Sequence, residues 1–165
     1  MVTKLDLIQT DQTIMVQIGD HQWNNKVLDY VCSLARRNNS KLALVKMIPV
    51  QHLGWLGTEW GNLSLTNEDR AELSDCVATA EDYGVEYSIH YFQYMTFSDA
   101  LLEAAEHVNA PVVFATLPKY LLTWWKRYRA NNLHHQFAQR QRILVDETDL
   151  STLNDVPEQE IVVYQ

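Results

Sequence analysis

"TIMVQIGDHQWNNKVLDYVCSLARRNNSKLALVKMIPV", residues 13–50, decides the fold. It opens on a short apolar run that breaks at a turn carrying Gly19 and Asp20. From Trp23 the apolar period changes. Trp23, Val27, Tyr30, Val31 and Leu34 recur at helical spacing until the polar cluster "RRNNS" closes the segment. A second apolar run, "KLALVKMIPV", then stops around Pro49. Apolar runs with so little alternation are strands covered on both faces, and two of them joined by an amphipathic helix make a βαβ unit.

The pattern continues downstream. Asn67 is expected to cap a helix through Leu73, Val77 and Ala80 that ends at "DYG", and "VEYSIHYF" alternates as a third strand. Thr96 or Ser98 is expected to cap a helix carrying Leu101, Leu102, Ala105 and Val108. "APVVFAT" is a compact fourth strand and "RILV" a fifth. Between them, residues 119 to about 138 predict an amphipathic helix. Leu121, Trp124, Trp125 and Tyr128 would form its apolar side, with Trp124, Trp125 or both buried against the sheet, while Lys126, Arg127 and Arg129 reach water. Strands alternating with helices predict a mainly parallel, doubly wound α/β sheet with right-handed crossovers and helices on both faces.

There is no internal repeat, low-complexity tract or linker, so residues 1–165 read as one domain, with a core over about 11–146 and an acidic extension over 147–165. In that extension "DETDLSTLNDVPEQE" reads as a loop or short turn. "IVVYQ", like the N-terminal "KLDLI", reads as a small strand that could pair on a sheet edge or on a partner subunit.

The formal net charge is −8 and the isoelectric point about 5.1, which disfavours attraction to a polyanion, so no nucleic-acid partner is expected. Charge is unevenly divided. Residues 107–145 hold Lys119, Lys126, Arg127, Arg129, Arg140 and Arg142 with no acid, whereas 146–165 hold six acids and no base, so the tail could fold across the basic helix. No run approaches the roughly 20 apolar residues of a membrane span and nothing resembles a signal peptide, which leads to a cytoplasmic expectation with no membrane partner. Cys32 and Cys76 lack CxxC spacing and read as buried free thiols.

The order of these elements resembles the universal stress protein family over about residues 11–146. The resemblance rests on the opening stretch, on "YGVEYSIHYFQYMTFSDALLEAAEHVNAPVVFAT" and on the final "RILV". It implies a five-stranded sheet of order 3-2-1-4-5 and a homodimer through the last strand. ATP-binding members have an acidic residue after the first strand. After the fourth they carry Gly, two residues, Gly, nine residues, then Gly with Ser or Thr. Such glycines let backbone amides approach phosphate. Here Gly19 stands where the acid would be, with Asp20 adjacent. Ala115 and Pro118 stand near the first two glycines, and no glycine follows Gly84. Proline also lacks the amide donor.

The usual ATP motif is therefore missing and no cofactor is expected. A nucleotide held through altered contacts would draw on Gly19, Asp20, His21, Lys46, Thr116 and Lys119. The six histidines form no HExxH or Cys/His cluster, so no metal site is expected, and the absence of GxSxG, P-loop and GxGxxG argues against catalysis. The long stretch "QHLGWLGTEWGNLSLTN" carries Trp55 and Trp60, more large apolar surface than a loop normally exposes. With Trp124, Trp125, Lys126, Arg127 and Arg129 it supplies the candidate surface for a protein partner. These readings converge on a non-catalytic stress-related or regulatory protein acting through homo- or hetero-oligomeric contacts, with a nucleotide-binding module as the alternative.

Overall fold

The computed structural model describes residues 11–59, 65–118 and 123–154. In chain order these form β1 (Thr13–Ile18), α1 (His21–Arg37), β2 (Lys41–Pro49), a 3-10 turn (Leu53–Trp55) and α2 (Asn67–Asp82). Then come β3 (Tyr87–Tyr94), α3 (Phe97–His107), β4 (Val112–Phe114), α4 (Thr123–Gln139), β5 (Ile143–Val145) and α5 (Glu147–Asn154). The five strands form one sheet of order β3-β2-β1-β4-β5, every pair parallel. This is the doubly wound arrangement the alternating pattern predicts.

Side-chain alternation along the central strands divides the core. Ile14, Val16, Ile18, Leu42 and Leu44 pack with Trp23, Val27 and Val31 of α1 and with Leu73 and Cys76 of α2. Met15, Ala43, Val45 and Val113 pack with Leu101 and Ala104 of α3 and with Leu133 and Phe137 of α4. Each crossover helix is followed by a residue of positive φ: Asn39, Gly84, Asn109 and Gln141. A left-handed residue there turns the chain toward the next strand, and Gly and Asn tolerate it best.

Three local expectations change. Thr66, not Asn67, caps α2: its hydroxyl accepts from Asp69 N while the Asp69 carboxylate accepts from Thr66 N, a reciprocal capping box. Residues 147–154 are not a loop but α5, whose Leu150 is fully buried, so the packed region continues past residue 146. Asp146 holds this helix, its Oδ1 accepting from Thr148 N at 2.8 Å and Asp149 N at 3.0 Å.

The third change concerns α4. Trp124 and Trp125 do not bury against the sheet: they are 66% and 40% exposed, and Tyr128 is 66% exposed. Leu133 and Phe137 form the inward face instead, with Ala130 partly buried beside them. The reason is length. A 17-residue helix spans roughly 25 Å, whereas the three-residue strands β4 and β5 cover roughly 10 Å. Because α4 runs back from the carboxyl end of β4, its first turns overshoot the sheet. Leu121, "KLDLI" and "IVVYQ" lie outside the described residues.

Candidate functional site: the cleft at the carboxyl ends of β1 and β4

Strand order reverses between β1 and β4, the place where open α/β sheets hold ligands. A cleft of about 200 Å³ lies there. Gln17, Gly19 and Asp20 line it from β1 and its turn, Lys46 and Met47 from β2, and Thr116, Leu117 and Pro118 from the segment after β4. Four of the predicted nucleotide-site residues, Gly19, Asp20, Lys46 and Thr116, are thus brought together. His21 is not among them: it is exposed at the start of α1, its ring 3.0 Å from Asn25 Nδ2. Lys119 lies outside the described residues.

Three backbone donors at or beside this cleft are committed inside the protein. Gly19 N donates to Asn24 Oδ1 at 2.9 Å, and Asn24 Nδ2 donates back to Gly19 O at 3.1 Å. Thr116 N donates to Gln17 Oε1 at 2.9 Å, a bond that ties the segment after β4 to the end of β1. Trp23 N donates to Asp20 Oδ1 at 2.9 Å, so Asp20 caps α1 as its position suggests. A phosphate cradle needs several unengaged amides pointing at one place. Here side chains already occupy the amides of Gly19, Trp23 and Thr116.

Steric demand explains the glycine. A Cβ at Gly19 would lie 2.8 Å from Trp23 Cδ1 and 3.1 Å from Thr116 Cγ2. The Trp23 indole is 1% exposed and is fixed by its own bond, Nε1–H to Gln17 O at 2.9 Å. The position after β1 is thereby closed to an acidic side chain.

Among the described residues Lys46 supplies the cation on the cleft wall, and it is already paired. Its Nζ meets Asp69 Oδ1 of α2 at 2.5 Å, and the lysine is almost fully buried. Burial alone would raise the Asp69 carboxyl; hydrogen bonds from Lys46 and Thr66 outweigh it and hold Asp69 below the usual carboxylate range. Glu72 lies nearby and is raised, by burial first and then by Asp69, Glu68 and Asp20, against the pull of Lys46. Among the described residues, several carboxylates around one lysine make this an acidic neighbourhood, adverse to a polyphosphate.

Chain order alone hides Gln17, Asn24 and Asp69 as site residues. Gln17 had a signal, a polar residue inside an apolar strand. Asn24 had one in retrospect, since it shares the buried side of α1 with Trp23. Burial raises the Cys32 thiol to about 11 and the Cys76 thiol to about 12, with Asp29 adding to the first and Glu72 and Asp75 to the second, which disfavours the thiolate a nucleophile needs.

The second candidate surface is the start of α4. Trp124 and Trp125 rings lie 5.2 Å apart, Tyr128 stands edge-on to Trp125 at 6.5 Å, and the Arg129 guanidinium sits 5.7 Å over the Trp125 ring. Arg127 and Arg129 are exposed beside them. Trp55 stands apart in the 3-10 turn, edge-on to His52 at 4.9 Å. Its loop is pinned to β3 by Gln93, which accepts from Gly57 N and donates to Thr58 O, each at 2.7 Å. Trp60 and the Lys126 side chain lie outside what the structure describes.

No protein-family model matches the sequence, and no curated protein matches it either. Solved structures do match. A protein of the universal stress protein family from Burkholderia pseudomallei superposes with a TM-score of 0.58 at 17% identity, over 81% of this chain and 93% of that one. The fold is that of the universal stress proteins. A universal stress protein in complex with cAMP gives 0.57 at 16% identity, over 84% of this chain and 97% of that one. One from Archaeoglobus fulgidus gives 0.54 at 15%, over 86% and 95%. At such identities the likeness concerns the fold. Among the described residues no helix is long and apolar enough to cross a membrane.

Proposed function

We propose that this protein is a non-catalytic, stress-related or regulatory module of the cytoplasm that acts by contact with protein, either a second copy of itself or a different chain. The observation that carries this reading is the first part of α4: three large exposed aromatic side chains, with Trp125 in ring contact with both Trp124 and Tyr128, flanked by Arg127 and Arg129. Aromatic and arginine side chains are the types that dominate binding energy at protein interfaces. The stress association comes from the fold likeness.

The test is oligomeric mass by size-exclusion chromatography with light scattering, on the parent and on Trp124→Ala/Trp125→Ala. The expected result is a dimeric parent and a monomeric variant that stays folded, its unfolding midpoint equal to that of the parent at dilutions where the parent is also monomeric. A parent that is strictly monomeric at high concentration removes the homodimer and leaves a different protein as the partner.

The alternative is a nucleotide module with altered contacts, favoured by the cleft at the strand-order reversal with Lys46 on its wall. The cleft's committed amides predict that calorimetric titration with ATP, ADP and cAMP gives no binding in the micromolar range. Micromolar affinity that falls on Lys46→Met would reverse the order of the two readings.

A further inference from the structure

Three ligating side chains meet where α4, the end of β5 and α5 come together. His134 Nε2 lies 3.1 Å from Asp146 Oδ2 and 3.7 Å from Asp149 Oδ2, and one donor atom from each residue lies within 4.8 Å of the other two. Zinc binds nitrogen and carboxylate oxygen at about 2.0–2.2 Å in tetrahedral geometry, which sets donor atoms roughly 3.3–3.5 Å apart. The two histidine–carboxylate separations straddle that spacing.

The two carboxylates are also held by bonds that a cation would leave intact, and the His134–Asp146 bond is the one it would replace. Asp146 Oδ1 is fixed by the amides of Thr148 and Asp149, leaving Oδ2 directed at His134. Asp149 Oδ2 accepts from Asp146 N at 3.3 Å. Charge is unbalanced at this point. Among the described residues no lysine or arginine pairs with either carboxylate, so two acids share one imidazole. Side-chain exposures of 24%, 19% and 41% for His134, Asp146 and Asp149 leave one side of the cluster open to solvent.

We propose that His134, Asp146 and Asp149 form a three-ligand site for a zinc-class divalent cation, with water completing the coordination. One imidazole and two carboxylates suit a borderline metal. Calcium would require six to eight oxygens, and magnesium keeps several waters and favours phosphate-rich sites. The ion would join α4 to β5 and α5 and so steady the helix that carries the exposed tryptophans. This inference stands independently of the role proposed for that aromatic face.

The experiment is calorimetric titration of zinc chloride into the full-length protein after chelator treatment and dialysis, with magnesium as control. The expected result is one zinc per chain, no magnesium binding, and a higher unfolding midpoint with zinc. Asp149→Asn preserves shape and a carbonyl oxygen for Asp146 N, while His134→Ala leaves the α5 cap in place. Each should weaken zinc by more than the roughly 10- to 100-fold that loss of a supporting hydrogen bond costs at known sites. Absence of one-to-one zinc binding by the parent overturns the proposal. So does parental affinity in a folded Asp149→Asn variant, because the ion would then sit elsewhere.

Discussion

Replacing Phe137 with alanine is expected to lower the unfolding free energy by about 3–5 kcal/mol, whereas Trp124→Ala, compared at dilutions where both chains are monomeric, should change it by no more than about 0.5 kcal/mol. The contrast follows from burial. Phe137 is fully buried in the layer between the sheet and α3–α4, together with Leu133, Leu144 and Ala115. Its removal leaves a cavity that the short strands β4 and β5 cannot close without shifting. Trp124 is 66% exposed, so its truncation uncovers almost nothing. Urea denaturation followed by far-ultraviolet circular dichroism measures both without relying on tryptophan emission. Phe137→Leu should recover most of the loss, since it restores apolar volume. Equal losses at Phe137 and Trp124 would mean that the start of α4 packs on the sheet after all, and the aromatic face would no longer be a free surface.

That contrast also marks the limit of what the sequence discloses. The βαβ rhythm of residues 13–50 was legible because a strand covered on both faces and an amphipathic helix have different periods. Strand order came from the family resemblance, and the sheet has that order. The facing of α4 was not legible, because its most apolar stretch is not its buried one. Tryptophan at residues 124 and 125 advertised a core that the sheet is too short to reach there, while Leu133 and Phe137 sit among polar neighbours and give a weak stripe. Helix α5 was hidden by its acidic composition: the capping by Asp146 and the burial of Leu150 decide it, and both depend on tertiary placement. The cleft was half legible. Gly19, Asp20, Lys46 and Thr116 could be assigned to it from topology, but the partners that occupy them, Asn24, Asp69 and Gln17, could not.

Those partners set up the other large effect. Trp23→Ala should cost about 3–5 kcal/mol, since the indole is 1% exposed, fills the layer between β1 and α1, and donates to Gln17 O. Gly19→Ala should cost less, about 1–3 kcal/mol, through overpacking: the new Cβ would stand 2.8 Å from Trp23 Cδ1 and 3.1 Å from Thr116 Cγ2. The two costs should not add. With the indole gone, the tighter of the two contacts disappears, and Gly19→Ala should become close to neutral, or slightly stabilising because alanine restricts the unfolded chain. Gly19→Asp should follow the same course, tolerated only beside Trp23→Ala. Measuring the four members of the Gly19/Trp23 cycle by chemical denaturation gives the coupling directly. A Gly19→Ala cost that is the same in both backgrounds would show that Thr116 or the backbone, not the indole, reserves this position for glycine. A coupling of one kcal/mol or more, on the order expected for side chains in direct contact, would show that Trp23 closes the place where an acidic side chain could otherwise enter the cleft.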